Sequence, residues 1–192
     1  MDLVWSRAAF YLPPKVLGKN LRGFSPFHIL MLEAVSSPYI IGGKRDNDDL
    51  ILAVYICSQG WADRYSIIRY DLKAVKKWGR SVRKPDFVVA HKDFLLYLQE
   101  SWEMPGCWPE PGSSGIKANP AYHLATFGMR ELKMTEQEAW DCPMARLVCY
   151  RACVSESEGG DPLITDDDRA GMAILKADQE KADKKKAEKQ NG

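Results

Sequence analysis

Two short stretches, Phe27–Val35 and Leu50–Ser58, are apolar on almost every side of the helix that each predicts. A helix without a polar face belongs in the middle of a domain, enclosed by other elements. His28 and Glu33 are the polar exceptions in the first stretch. Ser25-Pro26 ahead of it reads as an N-cap followed by proline in the first turn, and Ser36-Ser37-Pro38 ends it. The second follows a polar loop, Gly42-Gly43 and Asp46–Asp49, with Asp48 or Asp49 placed as its cap, and it stops at Gly60-Trp61. Two such helices need a shell of amphipathic ones around them.

The rest of the chain supplies that shell. Pro13-Pro14 closes the opening segment in an extended stop. From Asp63 to Lys77 the spacing of Ile67, Ile68, Leu72 and Val75 predicts a helix with one buried stripe. Lys84-Pro85-Asp86 opens another, in which Phe87, Phe94, Leu95 and Leu98 recur at helical intervals. Residues 104–121 are rich in proline and glycine around Trp108 and read as a long loop, of a length that in compact domains goes with function or mobility. A helix resumes near Tyr122 and runs to Lys133. Thr135-Glu136-Gln137-Glu138 is a capping box, and the helix behind it breaks at Pro143 and continues to Ser157. Gly159-Gly160-Asp161-Pro162 is a stop. Residues 169–190 are rich in Ala, Lys, Glu and Gln, with little apolar character beyond Met172, Ile174 and Leu175. Strands have little support and no internal repeat is visible. The expected fold is all-α, a compact bundle of short helices over residues 1–163 with a charged, solvated tail, helical or disordered, over 164–192.

With 192 residues, 45% of them hydrophobic, the chain can build a core without disulfides or metal. Its 27 basic and 26 acidic residues leave a net charge of +1, so no global pull toward nucleic acid or anionic lipid arises. No apolar run approaches the roughly 18–20 residues that a membrane helix needs. The N-terminus lacks the pattern of a secretory signal. Five cysteines, three of them predicted on one helix, suit reduced thiols in a cytoplasm.

Candidate chemistry is sparse. His28, His91 and His123 fall on three different predicted helices, with no HExxH and no pair at metal-ligand spacing. Cys142, Cys149 and Cys153 are seven and four apart and would share a face on a straight helix; without a CxxC knuckle, core packing is the simpler reading than zinc. Gly42-Gly43-Lys44 and Gly112-Ser113-Ser114-Gly115 match no phosphate-loop pattern, and Ser113 and Ser114 lack a nucleophile-elbow context. No catalytic residue, metal site or cofactor is expected, and the chain reads as non-enzymatic. Two surfaces remain. Lys73, Lys76, Lys77, Arg80, Arg83 and Lys84 stand against one acid, Asp71, around Trp78, a pattern that suits nucleic acid as well as a plain solvated face. Trp102, Trp108 and Trp140 lie near loops and helix ends, where aromatic residues serve either protein interfaces or gaps between helices.

Several phrases taken together carry a resemblance. They are Trp5 to Pro14, Leu21-Arg22-Gly23-Phe24-Ser25-Pro26-Phe27-His28 before an apolar helix, Ser36-Ser37-Pro38-Tyr39, Asp49-Leu50 with Ala53-Val54 to Cys57-Ser58, and Thr135 to Pro143 before a helix, Gly159-Gly160 and a charged end. The chain resembles the tail assembly chaperones of long-tailed phages and prophages, over about two thirds of its length, and departs from them in the 104–121 loop. That resemblance implies a helical, non-enzymatic protein of the host bacterial cytoplasm that coats the tape-measure protein, recruits tail-tube subunits and is absent from the finished virion. Self-association is compatible with it. Holding an apolar client requires exposed apolar surface, for which Trp102, Trp108, Trp140 and the Cys149/Cys153 face are the candidates. A nucleic-acid-binding phage regulator using Lys73–Lys84, or a helical head–tail connector or virion adaptor, is the competing expectation.

Overall fold

The computed structural model describes residues 6, 8–9, 12–65, 72–82, 86–102, 119–160, 163–164, 168–176 and 179. A small antiparallel hairpin comes first, β1 (Lys15–Val16) and β2 (Lys19–Asn20), in the register Lys15 to Asn20 and Val16 to Lys19. Its two turn residues, Leu17 and Gly18, both have positive φ (48° and 78°), which a two-residue type I′ connection demands. Leucine rarely accepts that conformation, so nothing in the sequence marks this turn.

All the other described elements are helical, and the fold is all-α as expected. The helices are α1 (Pro26–Ala34), α2 (Pro38–Ile41), α3 (Asn47–Cys57), α4 (Leu72–Ser81), α5 (Phe87–Ser101), α6 (Pro120–Arg130), α7 (Glu136–Asp141) and α8 (Met144–Ser157), with a 3₁₀ turn at Trp61–Asp63. The nearly all-apolar α1 is central: α2, α3, α6 and α7 all pack on it. Phe27, Ile29, Leu32, Leu50, Val54 and Ile56 are fully buried there, so the two all-apolar stretches do occupy the middle of the domain. Phe94 and Tyr97 of α5 and Met144 and Leu147 of α8 complete the core.

Local chemistry accounts for most helix ends. Ser25 precedes α1 and Pro26 opens it. At its other end the Ser37 N–H donates to the Leu32 carbonyl and the Ser36 N–H to that of Glu33, with Ser36 at φ 52°. This is a Schellman ending built on serine where glycine is usual. The cap of α3 is Asp46, two or three residues ahead of the Asp48 or Asp49 expected: the Asp49 N–H donates to Asp46 Oδ1 (2.8 Å) and the Asp46 N–H to Asp49 Oδ2 (2.9 Å). The two acids form a reciprocal box, so the helix begins a turn before its apolar stretch. Thr135 and Glu138 make the box foreseen for α7, and Pro143 separates α7 from α8.

Other boundaries shift. Helix α4 continues to Ser81, past the expected end at Lys77; Ile67 and Ile68 lie outside the described residues. Helix α6 starts at Pro120, capped by the Asn119 side chain, and ends at Arg130. The loop at 104–121 lies outside the described residues as far as residue 118, including Trp108. In the tail, residues 168–176 are helical and hold Ile174 and Leu175 out to solvent.

Distant segments meet beside α1. The Arg22 N–H donates to the Cys57 carbonyl (2.9 Å), the Met144 N–H to the Phe24 carbonyl (2.7 Å) and the Tyr97 hydroxyl to the Arg22 carbonyl (2.9 Å). Pro143 presses on Gly23, where a Cβ would stand 2.6 Å from the proline Cγ. Only glycine fits that approach without a shift.

Candidate functional site

The tryptophans divide between inside and outside. Trp140 is 4% exposed and stacks on Trp61, rings 4.8 Å apart and 5° from parallel. The Arg64 guanidinium covers the other face of the pair, 4.4 Å from the Trp61 ring, and Tyr122 meets Trp140 edge-on. The Trp61 N–H donates to Asp141 Oδ1 (2.7 Å), which ties the 3₁₀ turn to the end of α7. Trp140 therefore fills the space between α6, α7 and the 3₁₀ turn and offers no surface to a partner. Trp61, which the sequence reading passed over, is the ring that encloses it.

The cysteine face is likewise not formed as expected. Cys142 caps α7 ahead of the Pro143 break, so it shares no straight helix with the other two. Cys149 is buried, and among the described cysteines only Cys153 is exposed. Burial raises the Cys142 thiol to about 11 and holds Cys57 further up still, so both remain protonated at neutral pH.

His28 and His91 are engaged internally. His28 is fully buried: its Nδ1 accepts from the Ser25 N–H (3.0 Å), which puts the proton on Nε2, and that nitrogen donates to the Gln59 carbonyl (2.9 Å). Burial above all depresses its pKa to about 4, with the nearby Arg22 charge adding to the effect. His91 Nδ1 accepts from the Tyr39 hydroxyl (2.6 Å). Burial raises the Tyr39 phenol to about 12, which leaves it a donor in that pair. His123 is lowered by burial and by Arg151. Among the described residues no group of three His, Cys, Asp or Glu side chains stands close enough to hold a metal ion, and no helix is long and apolar enough to cross a membrane.

What remains available lies on the outer faces of α4 and α5. Asp86 caps α5, its Oδ1 accepting from the Val88 and Val89 N–H groups at 3.0 and 3.2 Å. From that start, Ala90, Phe94, Tyr97 and Leu98 turn inward. Leu95, expected beside them, turns out. With Val88 (81% exposed), Val89, Leu96 (50% exposed) and Trp102 (39% exposed) it makes an apolar outer face, interrupted by Lys92 and Gln99. These residues repeat at helical spacing and cover about 20 Å of helix. Trp102 anchors the end of this face, its ring 6.2 Å from that of Phe24.

Helix α4 has the opposite character. Ala74, Val75 and Trp78 are half-buried toward α3, and Gly79 lets the two helices approach until a Cβ would stand 3.3 Å from Ile51. Lys73, Lys76, Lys77 and Arg80 are exposed, Lys76 and Arg80 along the rim of the groove to α3 and Lys73 and Lys77 farther round the helix. None of the four makes an ion pair among the described residues; Asp71, Arg83 and Lys84 lie outside them. Lys19 approaches α4 from the hairpin, its Nζ 5.3 Å from both the Tyr55 and Trp78 rings. No protein-family model, curated protein or solved structure matches the chain.

Proposed function

We propose that the protein is a non-enzymatic binding protein that holds an apolar helical segment of another chain against the outer face of α5. The observation that carries this reading is the row Val88, Val89, Leu95, Leu96 and Trp102 in contact with water on one helix. Apolar groups gain roughly 25 cal/mol for each Å² removed from water, and a neighbouring helix with a matching stripe is the usual way to remove a row of them. The role fits that of a tail assembly chaperone of long-tailed phages: the client would be a tape-measure protein, tail-tube subunits would be recruited to the complex, and the work would be done in the host cytoplasm. Trp102, nominated for this surface from the sequence, is partly exposed at the end of α5. Cys153 is exposed on α8, while Trp140 and Cys149 are spent inside the domain.

Co-expression with a tape-measure protein and a tail-tube protein of a long-tailed phage tests the reading. The expected result is a soluble complex that the triple variant Val88→Gln, Leu96→Gln, Trp102→Gln no longer forms while keeping its helical circular dichroism. Recovery of the same complex with the triple variant, or no complex at all, overturns it. Mass analysis of finished particles separates an assembly factor from a connector or adaptor: the factor is absent from them and the virion component is present.

A further inference from the structure

We infer that the outer face of α4 is a contact surface for the phosphate backbone of a nucleic acid, separate from the apolar face of α5. The placement of the charges carries this. At 100° per residue, Lys73, Lys76, Lys77 and Arg80 fall within one arc of about 100°, on the side opposite Ala74, Val75 and Trp78, which pack toward α3. The four cations therefore form one exposed stripe, with Lys73 and Lys77 outermost and Lys76 and Arg80 on the rim of the groove to α3. That stripe is about 10 Å long, which at about 3.4 Å of duplex axis per phosphate of one strand spans four successive phosphates.

The segregation is local, because the whole chain carries a net charge of only +1. Helix α4 has no acid between Leu72 and Ser81. Asp48 is the one carboxylate among the residues lining the groove between α3 and α4, with Ile51, Leu52, Val75, Gly79, Lys76 and Arg80. That placement decides between two kinds of anionic partner. An acidic protein segment anchored by an apolar side chain in this groove would bring its carboxylates toward Asp48. A phosphate backbone lying along the outer line of α4 meets only cations. Regularly repeated charge on long, exposed side chains matches a repeating backbone and asks for no shaped pocket.

Fluorescence anisotropy of the full chain with a labelled duplex of about 25 base pairs, and with the corresponding single strand, tests the assignment across a salt series. Four phosphate contacts predict a slope of about −3 to −4 in log K against log salt on duplex, so that raising salt from about 50 to 200 mM weakens binding roughly 100-fold. Lys76→Gln lowers the slope by about one, and Lys73→Gln, Lys76→Gln, Lys77→Gln and Arg80→Gln together abolish binding with the circular dichroism unchanged. The single variant Lys76→Gln decides the test if the quadruple one fails to fold. No binding to either oligonucleotide at about 25 mM salt overturns the assignment. So does binding that survives the quadruple variant and disappears when the basic residues after position 180 are removed. Binding to labelled poly-glutamate without binding to either oligonucleotide overturns it in favour of an acidic protein partner.

Discussion

The junction around α1 and the outer faces of α4 and α5 handle the same residue types in opposite ways. At the junction Trp61 and Trp140 lie face to face, His28 uses both ring nitrogens on backbone partners, and Asp141 accepts from a main-chain N–H. On the outer faces Trp102 is partly wet, Leu96 is half exposed, and four cations of α4 have no ionic partner among the described residues. The lesson is that a residue type says little about role here and its neighbours say much. Substitution at the junction should be read in stability, and substitution on the outer faces in binding.

Four measurements can break or sharpen that contrast. The largest effect is expected for Trp140→Ala, which removes a buried aromatic from a stacked pair and should cost about 3–5 kcal/mol in urea unfolding. A loss below about 1 kcal/mol would show that the junction does not hold the domain together. Acidification comes next. The pKa of His28 is about 4 folded against 6.5 for the free side chain, so the unfolded state binds the extra proton between those values and stability falls as pH drops through that window. The loss should reach on the order of 3 kcal/mol near pH 4, with full stability retained above pH 6.5. The difference between unfolding titrations of the wild type and of His28→Gln isolates this part, since the variant lacks it. Gly23→Ala follows, at about 1–3 kcal/mol, because the Pro143 ring cannot yield as a flexible side chain would. The smallest effect on stability, within about 0.5 kcal/mol, is expected for Leu96→Gln and Lys77→Gln. If either unfolds the protein, its outer face is in fact an internal one.

What the sequence made legible follows the range of the interactions. Ser25-Pro26, the Thr135 and Glu138 pair and the break at Pro143 act within a few residues of themselves, and all three end or start helices as read. The two all-apolar stretches were equally plain, because a helix without a polar face has one place to go. Helix α5 was only half legible. It carries apolar residues on both sides, so periodicity marks a helix but not its inward side: the spacing sets Leu95 beside Phe94 and Leu98, whereas in the fold Tyr97 is buried and Leu95 is exposed. That choice is made by contacts with α3 and β1, which no local pattern contains. The role of Trp140 was hidden for the same reason, its stacking partner Trp61 being far away in the chain. Helix α4, with lysines spaced around a thin apolar side, showed its outer face directly.

The hydrogen bonds that close the junction have a consequence in time. The Phe24 carbonyl waits for the Met144 N–H, and the backbone of Trp61 waits for Asp141. At a synthesis rate of about 5–20 residues per second, a nascent chain carries α1 and α3 for on the order of ten seconds before α7 and α8 leave the ribosome. Through that interval the two most apolar helices of the protein have only each other and their nearer neighbours for cover, and long-range closure of this kind is slow in its own right. Translation speed over the second half of the gene is therefore a variable that should control how much of the protein escapes aggregation.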